Sequence, residues 1–223
     1  MNTMRKSSTD RNERKRIWKM KLKELDGIKD NEGTPIDPGI KEAIVAFNLN
    51  GFPTINSCAG HTQKNKLWFP HVLGVAPGRP QNRFINDNKI RRKIAHEHNI
   101  PEGFIELNPN ACKQYYQWVK EHRLKETKKY LAWKRKNKVM EEFIQFQLDR
   151  FYSGRKVSQD AKIYLAKPTL GYLVNIGRMG IKEKVKNHTV KPVEIPGIQR
   201  KIRAAQKEMK AFTEFLKKKF FDA

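Results

Sequence analysis

Cysteine is scarce in this chain: Cys58 and Cys112 are the only two in 223 residues, and they stand far apart. That excludes a disulfide framework and fits a reducing compartment. Long apolar runs are missing as well. No stretch of about 18 apolar residues occurs, so no spanning helix is expected. The opening "MNTMRKSSTDRNERKRIWKM" has no apolar signal-peptide core. The expectation is a soluble, cytoplasmic protein with no membrane partner. Neither a Gly-x-Gly-x-x-Gly fingerprint nor a phosphate-binding P-loop is present, which leaves a nucleotide cofactor without a motif.

Acidic charge is the remaining shortage. Asp and Glu number 23 against 47 Lys and Arg, a formal charge of +24 with a pI near 10.1. Heat- or salt-adapted surfaces add Glu together with Lys. An unbalanced excess instead suits a polyanion, and the expected partner is nucleic acid, RNA favoured over DNA. The excess is uneven. Residues 31 to 76 hold Lys41, Lys64 and Lys66 against Glu32, Asp37 and Glu42, so that block is neutral while the rest is basic.

The pattern predicts an α+β, mostly helical fold in three parts: a basic N-terminal helical arm (1–30), a small α/β domain with a β-hairpin (31–110), and a basic helical region (111–223). Trp18, Leu22 and Leu25 lie at helical spacing ahead of Gly27. Asp37 as N-cap, Pro38 at the first position, Ile40, Ala43, Ile44 and Phe47 on one face and Gly51 as stop define a helix. "PTINSC" and "LWFPHVLGV" then read as a hairpin, with Pro70 marking an edge. A helix near Asp87–His98 and a third strand at "GFIEL" follow. Residues 111 to about 150 contain no Gly or Pro, which allows one long helix or two abutting ones. After Pro196-Gly197, Ile198, Ile202, Ala205, Met209, Phe212, Leu216 and Phe220 form a heptad-like seam expected to pack on the chain's own domain.

Two candidate sites emerge. In "GFPTINSCAGHT", the hairpin sets Cys58 opposite His71, with His61 at the turn, and Ser57, Cys58, His61 and His71 make a candidate catalytic pocket. A thiolate activated by histidine is one reading. A zinc site of Cys58, His61 and His71, completed by Cys112 or water, is another. A tight turn with an inert, half-buried Cys58 is the third, and a pocket of exposed polar groups and loop amides is the fourth. The second candidate is "RLKETKKYLAWKRKNK". There Tyr130 and Trp133 stand among Lys125, Lys128, Lys129, Lys134, Arg135, Lys136 and Lys138, with Arg91 and Arg92 adding charge elsewhere. Interleaved rings and cations suit bases that stack while phosphates meet lysines.

The layout "DNEGTPIDPGIKEAIVAFNLNGFPTINSCAGH" resembles the N-terminal part of the wybutosine-synthesis methyltransferase family, through Gly33, Ile36, Asp37, Asn50, Thr54, Ser57, Cys58 and Gly60. His61 stands where that family has Arg, and the likeness ends near Val75. It implies S-adenosylmethionine as cofactor and a modified guanosine of phenylalanine tRNA as substrate. The same stretch is similar to short phage and bacterial proteins with a Ser-Cys-x-Gly-His signature.

Overall fold

A computed structural model describes residues 8–29, 33–63, 66–166, 174–177 and 192–223. The fold is α+β and mostly helical. It divides into two compact units, one built from residues 1–76 with 137–223 and the other from residues 77–136. These bounds replace the three consecutive parts expected from the sequence, because the C-terminal helix returns to the first unit's core.

In the first unit, helix α1 (Ser8–Asp26) is not a free arm. Trp18 and Leu25 are buried in the main core. Trp18 lies 6.2 Å from the Phe220 ring and 5.6 Å from the Phe221 ring, and Arg14 donates to the Phe220 carbonyl at 2.6 Å. Helix α2 (Lys41–Leu49) begins as foreseen: the Asp37 carboxylate accepts from Gly39 N–H at 2.9 Å, and a short 3-10 turn over Pro38–Ile40 leads in. Its buried face, Ala43 to Phe47, meets the C-terminal helix α6 (Ile195–Asp222), whose Met209, Phe212 and Leu216 join the same core. The heptad-like seam therefore packs within its own unit.

The hairpin keeps one register across a gap in its ladder and shifts only between Thr54 and Asn56. Strand β1 (Thr54–Cys58) pairs with β4 (His71–Gly74), and β2 (His61–Gln63) pairs with β3 (Lys66–Trp68). Cys58 faces His71 and His61 faces Trp68, so the offset is the same on both sides of the gap at Ala59-Gly60 and Phe69-Pro70. Pro70 has no N–H to give the ladder. Strand β4 is interior, not an edge: β5 (Tyr164–Ala166) and β6 (Val174–Gly177) complete a four-stranded antiparallel sheet in the order β1-β4-β6-β5. Pro70 sits in the gap, which is how an interior strand tolerates it. The Gly at 74 is obligatory for packing, since a Cβ there would lie 2.3 Å from the ring of Phe52, itself wholly buried. Gly74→Ala is expected to cost about 1–3 kcal/mol through overpacking, read as a lowered denaturant midpoint, with part of the loss recovered in Gly74→Ala/Phe52→Leu.

In the second unit, helix α3 (Asn88–Glu97) and helix α4 (Pro109–Glu121) pack through Ile94, Ala95, Ala111, Tyr115 and Val119. "GFIEL" is a 3-10 helix over Glu102–Leu107, not a third strand: only Ile105 turns inward, and Phe104 and Leu107 are exposed. The Gly- and Pro-free stretch is two helices. Helix α4 stops where Arg123 takes φ +48° and Leu124 N–H bonds the Val119 carbonyl at 3.1 Å. Helix α5 (Lys128–Tyr152) starts behind Thr127, whose hydroxyl accepts from Tyr130 N–H at 3.1 Å.

Candidate functional site

The small residues of "SCAGH" have a structural reason. Gly60 adopts φ +89°, and a Cβ on it would lie 3.0 Å from Pro70. The carbonyls that the broken ladder leaves are taken up by helix α6: Gln206 Nε2 donates to Ala59 O at 3.1 Å and Gly60 O at 3.0 Å, and Gln199 Nε2 donates to Thr62 O at 2.6 Å. Cys58 is 7% exposed, and its Sγ accepts from Gly60 N–H at 3.4 Å. His71 is buried, with Nδ1 3.1 Å from the Phe69 carbonyl. A carbonyl can only accept, so Nδ1 carries the hydrogen of that bond.

The four candidate residues do not converge as a pocket. Cys58 and His71 are direct partners across the sheet, but Ser57 pairs with Val72 and so faces the other side. His61 packs edge-on against Trp68 with ring centroids 6.3 Å apart. A cleft of about 450 Å3 opens at the joint, beside Ala59, Pro70, Gln206 and Lys210, yet none of the four lines it. Among the described residues, no three His, Cys, Asp or Glu side chains are placed to hold a metal ion, so Cys58, His61 and His71 do not make the zinc site that their spacing allowed. Neither Cys58 nor Cys112 is in a disulfide.

The second candidate lies largely in the second unit. Tyr130 and Trp133 are 3% and 2% exposed, so neither ring offers a face on which a base could stack. This corrects the stacking expectation. They turn inward because residues three apart share a helix face, and here the Arg83 guanidinium sits 5.1 Å over Tyr130 and that of Arg79 6.0 Å over Trp133. The opposite side of helix α5 is cationic. Lys128, Lys129, Arg135 and Lys136 are all exposed. At about 100° per residue they fall on one arc around Ala132, spread over about two turns, or roughly 10 Å. Lys125, just ahead of the helix, is also exposed. None of these five makes an ion pair among the described residues, whereas Lys134 pairs with Glu126 at 3.2 Å. Lys138 belongs to the first unit and pairs with Glu142 at 3.8 Å.

Arg91 and Arg92 line a polar trough that the sequence reading did not find. Its wider basin, about 550 Å3, is bounded by Gln81, Asn82, Asn88, Arg91, Arg92 and the Glu102-Gly103 turn. A narrower one, about 230 Å3, continues past Arg79, Arg83, Glu106 and Tyr130. The loop "APGRPQNRF" supplies Arg79, Pro80, Gln81, Asn82 and Arg83 to this wall. Its run of long donors among Gly and Pro was the available signal.

The arginines are held in place. Arg83 Nε donates to Glu126 at 3.1 Å and Nη1 to the Tyr116 hydroxyl at 2.9 Å. Burial pulls its pKa down, but the facing phenols of Tyr116 and Tyr130 and the Glu126 carboxylate hold it above the ordinary value. Arg91 lies 5.1 Å over the Tyr115 ring; burial opposes its charge, and Tyr115, Glu106 and Asp87 more than offset that. The Tyr115 hydroxyl donates to Asp87, which is wholly buried and has no hydrogen-bond partner for Oδ1. Burial and that carboxylate raise the Tyr115 phenol far above its usual range. Asp87→Ala leaves the buried Tyr115 hydroxyl without an acceptor and should cost about 1–3 kcal/mol. Chemical denaturation, compared with Asp87→Ala/Tyr115→Phe, would show the coupling as a double-variant loss smaller than the sum of the singles.

No helix among the described residues is long and apolar enough to cross a membrane. No protein-family model, curated protein or solved structure matches the chain.

Proposed function

We propose that the protein binds nucleic acid, RNA in preference to DNA, through the cationic side of helix α5 in the second unit. The observation that carries this is the arc of Lys128, Lys129, Arg135 and Lys136, exposed and unpaired, on the helix side opposite the buried Tyr130 and Trp133. Carboxylates neutralise neighbouring cations wherever a surface is only meant to be solvated, and Glu126 does so for Lys134. Four cations left unneutralised on one arc favour phosphate. The rings contribute rigidity, since Tyr130 and Trp133 anchor the helix from beneath.

Replacing Lys128, Lys129, Arg135 and Lys136 together by Ala tests this. Fluorescence anisotropy with a labelled single-stranded RNA should show at least a tenfold loss of affinity at low salt, similar across sequences, because phosphate contacts carry no base information. Unchanged affinity in a folded variant would remove the helix from the interface.

A second reading takes the cleft beside Ala59 and Pro70 as the site of an S-adenosylmethionine-dependent RNA-modifying enzyme. Its support is that cleft's position at the "SCAGH" joint. Calorimetry separates the two: micromolar binding of S-adenosylmethionine favours the enzyme, and no binding at millimolar ligand leaves the binder.

A further inference from the structure

We infer that the trough of the second unit holds one unstacked nucleotide of the bound strand, with its phosphate between Arg79 and Arg91 and its base edge against Gln81, Asn82 and Asn88. This rests on the nucleic-acid reading and adds a site that phosphate contacts on helix α5 do not supply. The charge argument starts at Glu106. Its carboxylate serves two guanidinium groups, Arg79 at 3.0 Å and Arg91 at 3.7 Å. Among the described residues, three guanidinium groups, those of Arg79, Arg83 and Arg91, line the narrower basin with one carboxylate, Glu106, and Arg91, Gln81 and Gly103 line both basins. Guanidinium forks match phosphate oxygens two at a time. Arg91 is also pre-set: Nη2 donates to the Glu102 carbonyl at 3.2 Å, and the Asp87–Tyr115 pair backs it.

The wider basin has what a base needs. The side-chain amides of Gln81, Asn82 and Asn88 make no hydrogen bond among the described residues, so each keeps a donor and an acceptor side by side. Such an amide complements the edge of an unpaired base, and recognition of single-stranded RNA works on splayed-out bases. A basin of about 550 Å3 falls within the ordinary range of small-ligand sites, about 300–1,000 Å3. Among the described residues the only carboxylate on its rim is Glu102, which pairs with Arg92 at 3.4 Å, both side chains being well exposed. An exposed pair of this kind is weak and yields readily to an incoming anion.

Titrating the full-length protein with the 5′-monophosphates of adenosine, cytidine, guanosine and uridine, and with inorganic phosphate, tests this by calorimetry. At least one nucleotide should bind tenfold or more tighter than inorganic phosphate. Asn88→Ala should bring that nucleotide down to the phosphate level, and Arg79→Ala should weaken nucleotide and phosphate alike. Both positions are exposed, so both variants should fold. If no nucleotide exceeds inorganic phosphate, or if Asn88→Ala changes nothing while RNA still binds with a steep salt dependence, the inference fails and the nucleic-acid reading stands. Nucleotide binding without any RNA binding sinks the RNA reading and with it the claim that the trough serves a strand.

Discussion

Affinity for single-stranded RNA is expected to fall about a hundredfold between about 50 and 200 mM salt, since five phosphate contacts give a log–log slope of about −3.5 for single strands. The five are Lys125, Lys128, Lys129, Arg135 and Lys136, all exposed. Removing Lys128, Lys129, Arg135 and Lys136 should leave a slope of about −0.7, because each lost contact takes about 0.7 from it. Lys134→Ala alone should flatten the slope less than Lys129→Ala, since Lys134 already shares its charge with Glu126 at 3.2 Å. Anisotropy titrations at four or five salt concentrations read the slope directly. A salt-independent affinity would show that phosphate is not what this helix meets. Trp133→Ala belongs with stability instead: its ring is buried, so it should lower the unfolding midpoint without a selective loss on single strands.

The largest stability effect is expected at Phe212, where truncation to Ala should cost about 3–5 kcal/mol. Phe212 is wholly buried and sits at the centre of an aromatic cluster, 5.8 Å from Phe47, 5.1 Å from Phe151 and 5.9 Å from Phe215. It joins helices α2, α5 and α6 in one core. Losing it leaves a cavity that three rigid rings cannot collapse to fill. A small domain holds only about 5–15 kcal/mol in all, so much of the first unit's stability would go. Hydrogen exchange at the amides of Val45, Ala46 and Phe47 reports this unit locally, and their protection should drop by about two to four powers of ten, at about 1.36 kcal/mol per tenfold. Phe212→Leu should lose well under half as much. Unaltered protection in Phe212→Ala would mean that helix α6 does not hold the core.

Some of this was legible along the chain. The Asp37 cap, Pro38 and the apolar face up to Phe47 determine helix α2, because capping and periodicity are local. The facing of Cys58 and His71 follows from a period of two and a short turn, and the seam from Ile202 to Leu216 needed only the spacing of its apolar residues. Other features depend on partners distant in sequence. "GFIEL" alternates like a strand, but no neighbour offers it a ladder, and Pro101 leads it into a 3-10 turn. Helix α4 ends without Gly or Pro because Arg123 takes the left-handed turn that the packing of Leu124 demands. Strands β5 and β6 come from a segment whose apolar residues show no clear period, and only pairing, of β6 with β4 and of β5 with β6, makes them strands.

For the candidate sites the division is the same. Sequence alone placed the cations of helix α5 on a helix and raised the expectation of a polyanionic partner, because charge and helical period are properties of the residues themselves. It could not say which side of that helix faces inward, and Tyr130 and Trp133 read equally well as stacking platforms or as anchors. Burial decided it. Likewise Ser57, Cys58, His61 and His71 are close along the hairpin, but the pleat sends Ser57 away from Cys58. The trough gathers Arg79 and Asn82 from a loop, Asn88 and Arg91 from helix α3 and Glu106 from a 3-10 turn. No spacing rule links those positions; tertiary packing alone brings them to one cleft, since their proximity depends on how Ile94, Ile105 and Tyr115 share a core.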